Sequence, residues 1–496
     1  MWKKFNKGRL PFQANELSEL LAACSESSDF LTFKLHKNSP FFIAYFKTLV
    51  NSETVHHDVL SILTEKECST LEEIKEKLPI EGVTITEAIP DVREKLLTGS
   101  LLIYTGEKNA SCLLVPVPDV QKRQVSVPET ESSVLGPKVA FVESLDTNLN
   151  LIRNRLHVLE LQTKELSVGK LSKTRVAVVY VKGIADEENV NTVIQRIGAI
   201  DYDEVIDSSF LTQMMADNGQ SPFPQFIETE RPDRVTGILS EGKVAILVEG
   251  SPIALTAPAT FFEFFSASED YFALWNVASF LRLLRLFAMM LSIWGTPAYV
   301  AILTYHYEMI PQDLLGTLIS SRAGIPFPPI LEAIILELTI ELLREAGARL
   351  PTKVGQTIGI VGGIVIGTAA VQAGLTSNVL IIIVALSALA SFTAPVYGIT
   401  NGIRLIRFPF LLFAQLLGLL GMAVCAAFLL AHLLKLTSLG RPFLEPLYPL
   451  RLPDLKDSFI RLPFNKQEKR PLLSRPKDDF RFQPKALKKN NWDIDD

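Results

Sequence analysis

GQTIGIVGGIVIGTAAVQA, residues 355–373, holds no charged side chain and repeats glycine at Gly355, Gly359, Gly363 and Gly367. On a helix, every fourth residue falls on one face, so these glycines form a ridge without side chains. In water each mid-helix glycine costs about 0.5–1 kcal/mol relative to alanine, which argues against a soluble helix. In a bilayer the same ridge favours association, because helices there depend on close backbone approach. The opposite face carries Thr357, Val361, Ile364, Thr368 and Gln372, polar at its ends and apolar between, with Val365 at its border. Two readings stand: a pore lining with a hydrophobic constriction, or a packed membrane helix that tolerates a few polar groups.

The neighbouring segments point to the same solvent. Leu286–Tyr307, Phe408–Leu434 and the uncharged stretch between Lys353 and Arg404 contain no Lys, Arg, Asp or Glu. They predict spans at about 286–307, 355–374, 377–397 and 408–434, each long enough for a hydrocarbon core of about 30 Å. Residues 324–345 open an apolar segment interrupted by Glu332, Glu337, Glu341, Arg344, Glu345 and Arg349. Glu337, Glu341 and Glu345 form an acidic stripe at i, i+4, while Glu341–Arg344 and Glu345–Arg349 can pair along the helix. Ionisable groups at membrane depth face protein or water, so the segment lines an aqueous vestibule or lies re-entrant at the interface; a fifth span is the alternative. Residues 435–496 hold 14 Lys and Arg against 9 Asp and Glu and many prolines, which predicts an extended cytoplasmic tail.

The first half predicts two α/β subdomains. In residues 1–116, the stretch 14–99 reads as mainly helical, with the pattern of a capping box at Ser69-Thr70-Leu71-Glu72 and a second helix at about 86–98, and 101–104 with 111–115 form a hairpin. Residues 117–136 are a proline-rich linker. In residues 137–260, TRVAVVYV (174–181) and KVAILVE (243–249) are strands covered on both faces, with a helix from Glu188 to Ile200 between them. Residues 261–285 are juxtamembrane, and 286–434 form the membrane domain. Glu228, Glu230, Arg231, Asp233 and Arg234 surround Pro232, which suits a capped helix start with surface ion pairs or an interface for coupling.

Composition narrows the function. A net charge of -5 gives no footprint for nucleic acid. Cys24, Cys68, Cys112 and Cys425 lack metal or redox spacing and read as reduced structural thiols, and His56-His57 lacks partners, so neither metal nor cofactor is expected. Catalytic signatures such as GxSxG, HExxH and the P-loop are absent, which argues against an enzyme. The N-terminus has no signal-peptide core, which keeps the first half cytoplasmic.

GPKVAFVESLDTNLNLIR (136–153), SPFPQFIETERPDRV (221–235), GKVAILVEGSP (242–252), PFPPILEAIILELTIELLREAGARLP (326–351), GQTIGIVGGIVIGTAAVQAG (355–374) and SFTAPVYG (391–398) occur in this order. Together they resemble the A subunit of GerA-type spore germination receptors, over about Gly136 to Leu462. The resemblance implies an α/β N-terminal region of two subdomains before a transmembrane bundle in the inner spore membrane. It implies a B subunit, transporter-like and nutrient-binding, a lipoprotein C subunit, and a homo-oligomeric cation channel opened by germinant. A non-conducting scaffold subunit of a sporulation or germination complex is the alternative.

Overall fold

The computed structural model describes residues 14, 16–35, 39–65, 70–105, 111–119, 128, 131, 133, 135–350, 363 and 365–481. Ten strands make two antiparallel sheets. The first contains β1 (Phe30–Lys34), β2 (Phe41–Phe46), β3 (Thr84–Thr86), β4 (Ser100–Thr105) and β5 (Cys112–Pro116), in the order β1-β2-β4-β5-β3. The second contains β6 (Leu161–Val168), β7 (Thr174–Val181), β8 (Ile227–Thr229), β9 (Val244–Val248) and β10 (Ala254–Ala257), in the order β6-β7-β9-β10-β8. Counted from its own first strand, the second sheet repeats the order of the first. Each is preceded by a nine-residue helix, Leu17–Ser25 or Leu145–Arg153, and each has a proline-started helix before its fourth strand, Ile89–Leu97 or Pro232–Ser240. Both of these later helices are followed by a glycine of positive φ, Gly99 or Gly242, whose conformation a side chain would strain.

Local chemistry explains the elements the sequence predicts. Thr70, one residue after the Ser69 that the capping-box spacing makes the cap, accepts a bond from the Glu73 N–H and opens the helix Leu71–Lys77, while β1 and β2 lie within the stretch 14–99 expected to be mainly helical. Residues 101–104 and 112–115 pair as expected, Leu101 opposite Val115 and Tyr104 opposite Cys112. β9 is buried at every position and the centre of β7 likewise, since helices cover both faces of the second sheet. Cys24 and Cys112 are buried thiols outside any disulfide, pushed up to about 12 and about 11 by burial, which keeps them unreactive.

A buried ion pair holds the two sheets together. Arg153, at the end of Leu145–Arg153, donates to both Asp29 oxygens at 2.6 Å and stacks on Phe46 with its guanidinium 4.4 Å from the ring centre. Burial alone would raise the Asp29 carboxyl, but the Arg153 charge and bonds from Arg153, Ser27 and Thr48 outweigh it and hold it below the usual range.

The helical half differs from the sequence expectation in several places. The first long helix, Trp275–Tyr305, begins eleven residues before the expected span, because Asp270 takes up both Arg282 and Arg285 at its start. Among the described residues it and Tyr397–Lys435 are the two helices long and apolar enough to cross a membrane. The expected span at 377–397 is a 14-residue helix, Asn378–Ser391. Tyr397–Lys435 is not one rod. At Gly418 the backbone leaves the helical region (φ 60, ψ -139), and a Cβ on Gly421 would collide with the Phe413 carbonyl. Both Gly402 and His432 meet the 221–225 loop, although a straight helix would separate them by about 45 Å. The segment is therefore an antiparallel helical hairpin with its tip at Gly418.

The tail is packed rather than extended, as far as Arg481. Ser438 donates to the Gln225 carbonyl at 2.6 Å and receives the Ala259 N–H at 2.9 Å, and the Phe443 carbonyl receives Phe261 N–H at 2.8 Å. Arg441 reaches Asp186 at 2.8 Å and Glu188 at 2.7 Å. Three of the basic residues that suggested disorder, Arg441, Lys477 and Arg481, are thus ion-paired beside the second sheet's helices. Tail and sheets lie at the same end of the bundle.

Candidate functional site

The acidic segment folds as the helix Pro329–Arg349, here called the acidic helix, and packs between the first long helix, Asn378–Ser391 and the hairpin. Its carboxylates meet arginines from other elements. Glu332 pairs with Arg322 at 2.9 Å and accepts the Ser377 N–H at 3.2 Å. One turn and a half later Glu337 pairs with Arg407 of the hairpin, and the two side chains are 1 % and 2 % exposed. The first long helix completes this cluster: Thr296 donates to Glu337 Oε1 at 2.8 Å, and Arg407 donates to Ser292 Oγ at 2.8 Å. Glu341 takes Arg404 at 2.8 Å and Arg344 at 3.5 Å. Arg344 also donates to Ser391 at 3.0 Å and lies 4.2 Å over the Phe392 ring.

The expected stripe of Glu337, Glu341 and Glu345 therefore splits. Glu337 does not face water, because Arg407 and Thr296 enclose it. Glu341 is bridged by two arginines, and only Glu345 is open, sharing its charge with Arg349. Sequence reading missed the partners Arg322, Arg404 and Arg407 with Ser292 and Thr296. Arginines bordering long uncharged runs were the available signal, since a cation so placed requires a buried partner or a headgroup. Paired inside the bundle, Arg404 and Arg407 cannot report which side of a membrane they are on.

The glycine-ridged segment is described only in its second half. Gly355, Thr357, Gly359, Val361 and Ile364 lie outside the described residues. Gly363 and Gly367 belong to a helical stretch where an added Cβ would meet nothing within 4 Å. Val365 is 55 % exposed, and Thr368 and Gln372 are exposed as well. Among the described residues nothing stands over the glycine ridge.

The polar cluster around Pro232 lies beside the second sheet. Pro232 starts its helix as expected, with Asp233 in the first turn. Arg231 is buried, donating to Asp233 at 2.9 Å and to the Pro137 carbonyl at 3.1 Å. Arg234 pairs with Glu131 at 2.5 Å and reaches the Ser266 carbonyl at 3.4 Å. Glu230 receives Phe141 N–H on its carbonyl at 2.8 Å, and Glu228 sits in β8, its carboxyl raised by burial while Thr212 donates to it at 3.3 Å. The preceding loop makes the contact with the bundle. Ser221 bonds His432 at 2.9 Å, and Phe223 packs in one cluster with Phe261, Phe410 and Leu433.

Two antiparallel α/β sheets clamped together, followed by an apolar bundle with ion-paired charges inside, define a membrane-type helical protein with a folded N-terminal region. Residues 15–473 match the family described as Bacillus/Clostridium GerA spore germination protein. The chain is 52 % identical to spore germination protein GerQA of Bacillus cereus, covering 97 % of both chains. It is 46 % identical to GerIA of the same organism, over 97 % of this chain and 72 % of that one. Among solved structures, the N-terminal domain of the A subunit of the Bacillus megaterium spore germinant receptor GerK3 aligns at 26 % identity and TM-score 0.35, covering 49 % of this chain and 94 % of that one. The chain belongs to the GerA family of spore germination proteins.

Proposed function

We propose that the chain is the A subunit of a nutrient-responsive germination receptor and that copies of it surround a cation pathway in the inner spore membrane. The observation that carries this reading is the glycine ridge of the described part of this segment, over which no other described residue stands. Among the described residues nothing stands within 4 Å of a Cβ added at Gly363 or Gly367, and on the opposite face Val365, Thr368 and Gln372 are exposed. A ridge of this kind is suited to another helix, and a neighbouring copy supplies one. Thr357, Val361, Ile364, Thr368 and Gln372 would then line the pathway, with Val361, Ile364 and Val365 at the constriction. Glu345 is the carboxylate of the acidic stripe placed to attract cations.

The tail's contacts with the second sheet support an even number of crossings, with the N-terminal region and tail both cytoplasmic. A transporter-like B subunit that binds nutrient and a lipoprotein C subunit are the expected partners. The alternative, a non-conducting scaffold, draws support from Glu337 and Glu341, whose charges are already neutralised within the chain. Conductance of the purified protein in planar bilayers separates the two. Gly363→Leu adds volume on the ridge and should shift the oligomer seen on blue-native gels to smaller species; an unchanged oligomer removes the ridge from the interface.

A further inference from the structure

Away from the bundle's charges, a cavity of about 1070 Å³ opens at a seam of three elements. The helix Pro232–Ser240 forms one wall, the 3-10 turns Phe261–Phe265 and Ser268–Tyr271 a second, and the tail helix Leu452–Phe459 with the chain after it a third. Its volume is in the range of small-molecule sites.

Lys466 and Lys469 also line the cavity but are exposed to solvent, and it is among the enclosed charges that compensation is uneven. Lys243 and Arg282, the most enclosed cations, are paired with Glu263 and Asp270, and Arg481 is paired with Glu241. Asp454 and Asp457 make no salt bridge among the described residues. Asp454 is only 7 % exposed; its Oδ1 accepts the Leu472 N–H at 3.2 Å, and its Oδ2 is buried without a partner. Asp457 Oδ1 is also buried and unpartnered. The two acids are three residues apart and so share a face of the tail helix. A buried carboxylate oxygen without a partner is costly, and a cation in the cavity would satisfy one on each acid.

The helix wall adds an exposed position without a side chain. Gly237 lies inside Pro232–Ser240 and lines the cavity, and a Cβ there would meet nothing within 4 Å. No turn or close packing requires glycine at this position, yet a helix interior favours alanine by about 0.5–1 kcal/mol. Ile238, Phe262 and Tyr271 supply apolar surface around the gap.

We propose that this seam is a binding site for a small organic cation, a primary amine on an apolar body. Its ammonium lies against Asp454 and Asp457, and its body passes over Gly237 toward Phe262 and Tyr271. Occupancy fastens the tail to the second sheet and to the start of the first long helix, where Arg282 lines the same cavity.

The test is calorimetric titration of the full-length protein in nanodiscs with phenethylamine, and with 3-phenylpropionate as the anion of similar shape. The expected result is saturable binding of the amine and none of the carboxylate, with Asp457→Asn and Asp454→Asn each weakening the amine at least about tenfold. Gly237→Leu fills the open space with a better helix former, so it should abolish binding while the Tm stays at or above that of the wild type. No saturable amine binding, equal binding of the carboxylate, or unchanged affinity in Gly237→Leu overturns the proposal. Because the readout is binding to the purified chain, it is independent of whether the bundle conducts.

Discussion

Glu337 and Arg407 show what a buried charge requires of its neighbours. Each is enclosed, and each has the other as its counter-charge, with Thr296 and Ser292 filling a further bond apiece. Removing one partner leaves an uncompensated charge, so Glu337→Gln should lower stability by about 3–5 kcal/mol, whereas Glu337→Leu combined with Arg407→Leu should recover much of the loss. Thermal unfolding of the detergent-solubilised variants checks this, and a single variant as stable as the double one would contradict it. Outside the bundle, Asp29 makes the comparable pair with Arg153. Its carboxyl is depressed in the folded state, so its contribution is fully present above the ordinary aspartate value near 4 and is lost as pH falls through the lower folded value. Asp29→Asn should be less stable at neutral pH and lose less on acidification, measured as Tm from pH 7 down to about 3. Neither pair was legible in the sequence, because Glu337 and Arg407 or Asp29 and Arg153 are far apart in the chain and nothing local links them.

Elements governed by neighbouring residues were readable. A helix start within one residue of Thr70, Pro232 as a first helical residue and the hairpin flanking 106–110 each follow from a few adjacent side chains. β6 was not, since LQTKELSV mixes buried and half-exposed positions and has no apolar run. The Gly418 reversal was not either, because one glycine within an apolar stretch resembles a tolerated interruption of a span. Its support comes from another helix: the Tyr305 hydroxyl donates to the Gln415 and Leu416 carbonyls at 2.8 and 3.2 Å, and His306 Nε2 accepts the Leu419 N–H at 3.3 Å. These bonds replace the helical ones given up at the tip. A Cβ at residue 418 would stand 2.8 Å from His306 Nε2 at a positive φ, so Gly418→Ala should cost of order 1–3 kcal/mol. A lowered Tm, with His306→Ala milder, is the expected pattern; a neutral Gly418→Ala would show that the reversal does not depend on that conformation.

For the whole molecule, the decisive contacts join parts distant in sequence. The 221–225 loop touches the hairpin, and the tail returns to the second sheet through Arg441 and Ser438. Composition suggested a loose tail because its many charges looked solvated; their partners Asp186, Glu188 and Glu241 belong to a different domain and were invisible to local reading. Arg441→Ala should leave both sheets folded but raise the rate of proteolytic cleavage between residues 437 and 481 several-fold, since cleavage tracks the population of the detached tail. Equal cleavage rates would mean that the remaining contacts suffice. The Phe443 contact also sets an order of events during synthesis. Phe261, Phe264 and Phe265 leave the ribosome roughly 180 residues before Phe443, the ring that closes their cluster, which at about 5–20 residues per second is a delay of roughly ten to forty seconds. Throughout that interval the nascent chain presents uncovered aromatic surface beside the long apolar helices, so holding chaperones have their longest claim on it there, and a ribosome that stops after the hairpin but before Phe443 releases a product with this seam permanently open.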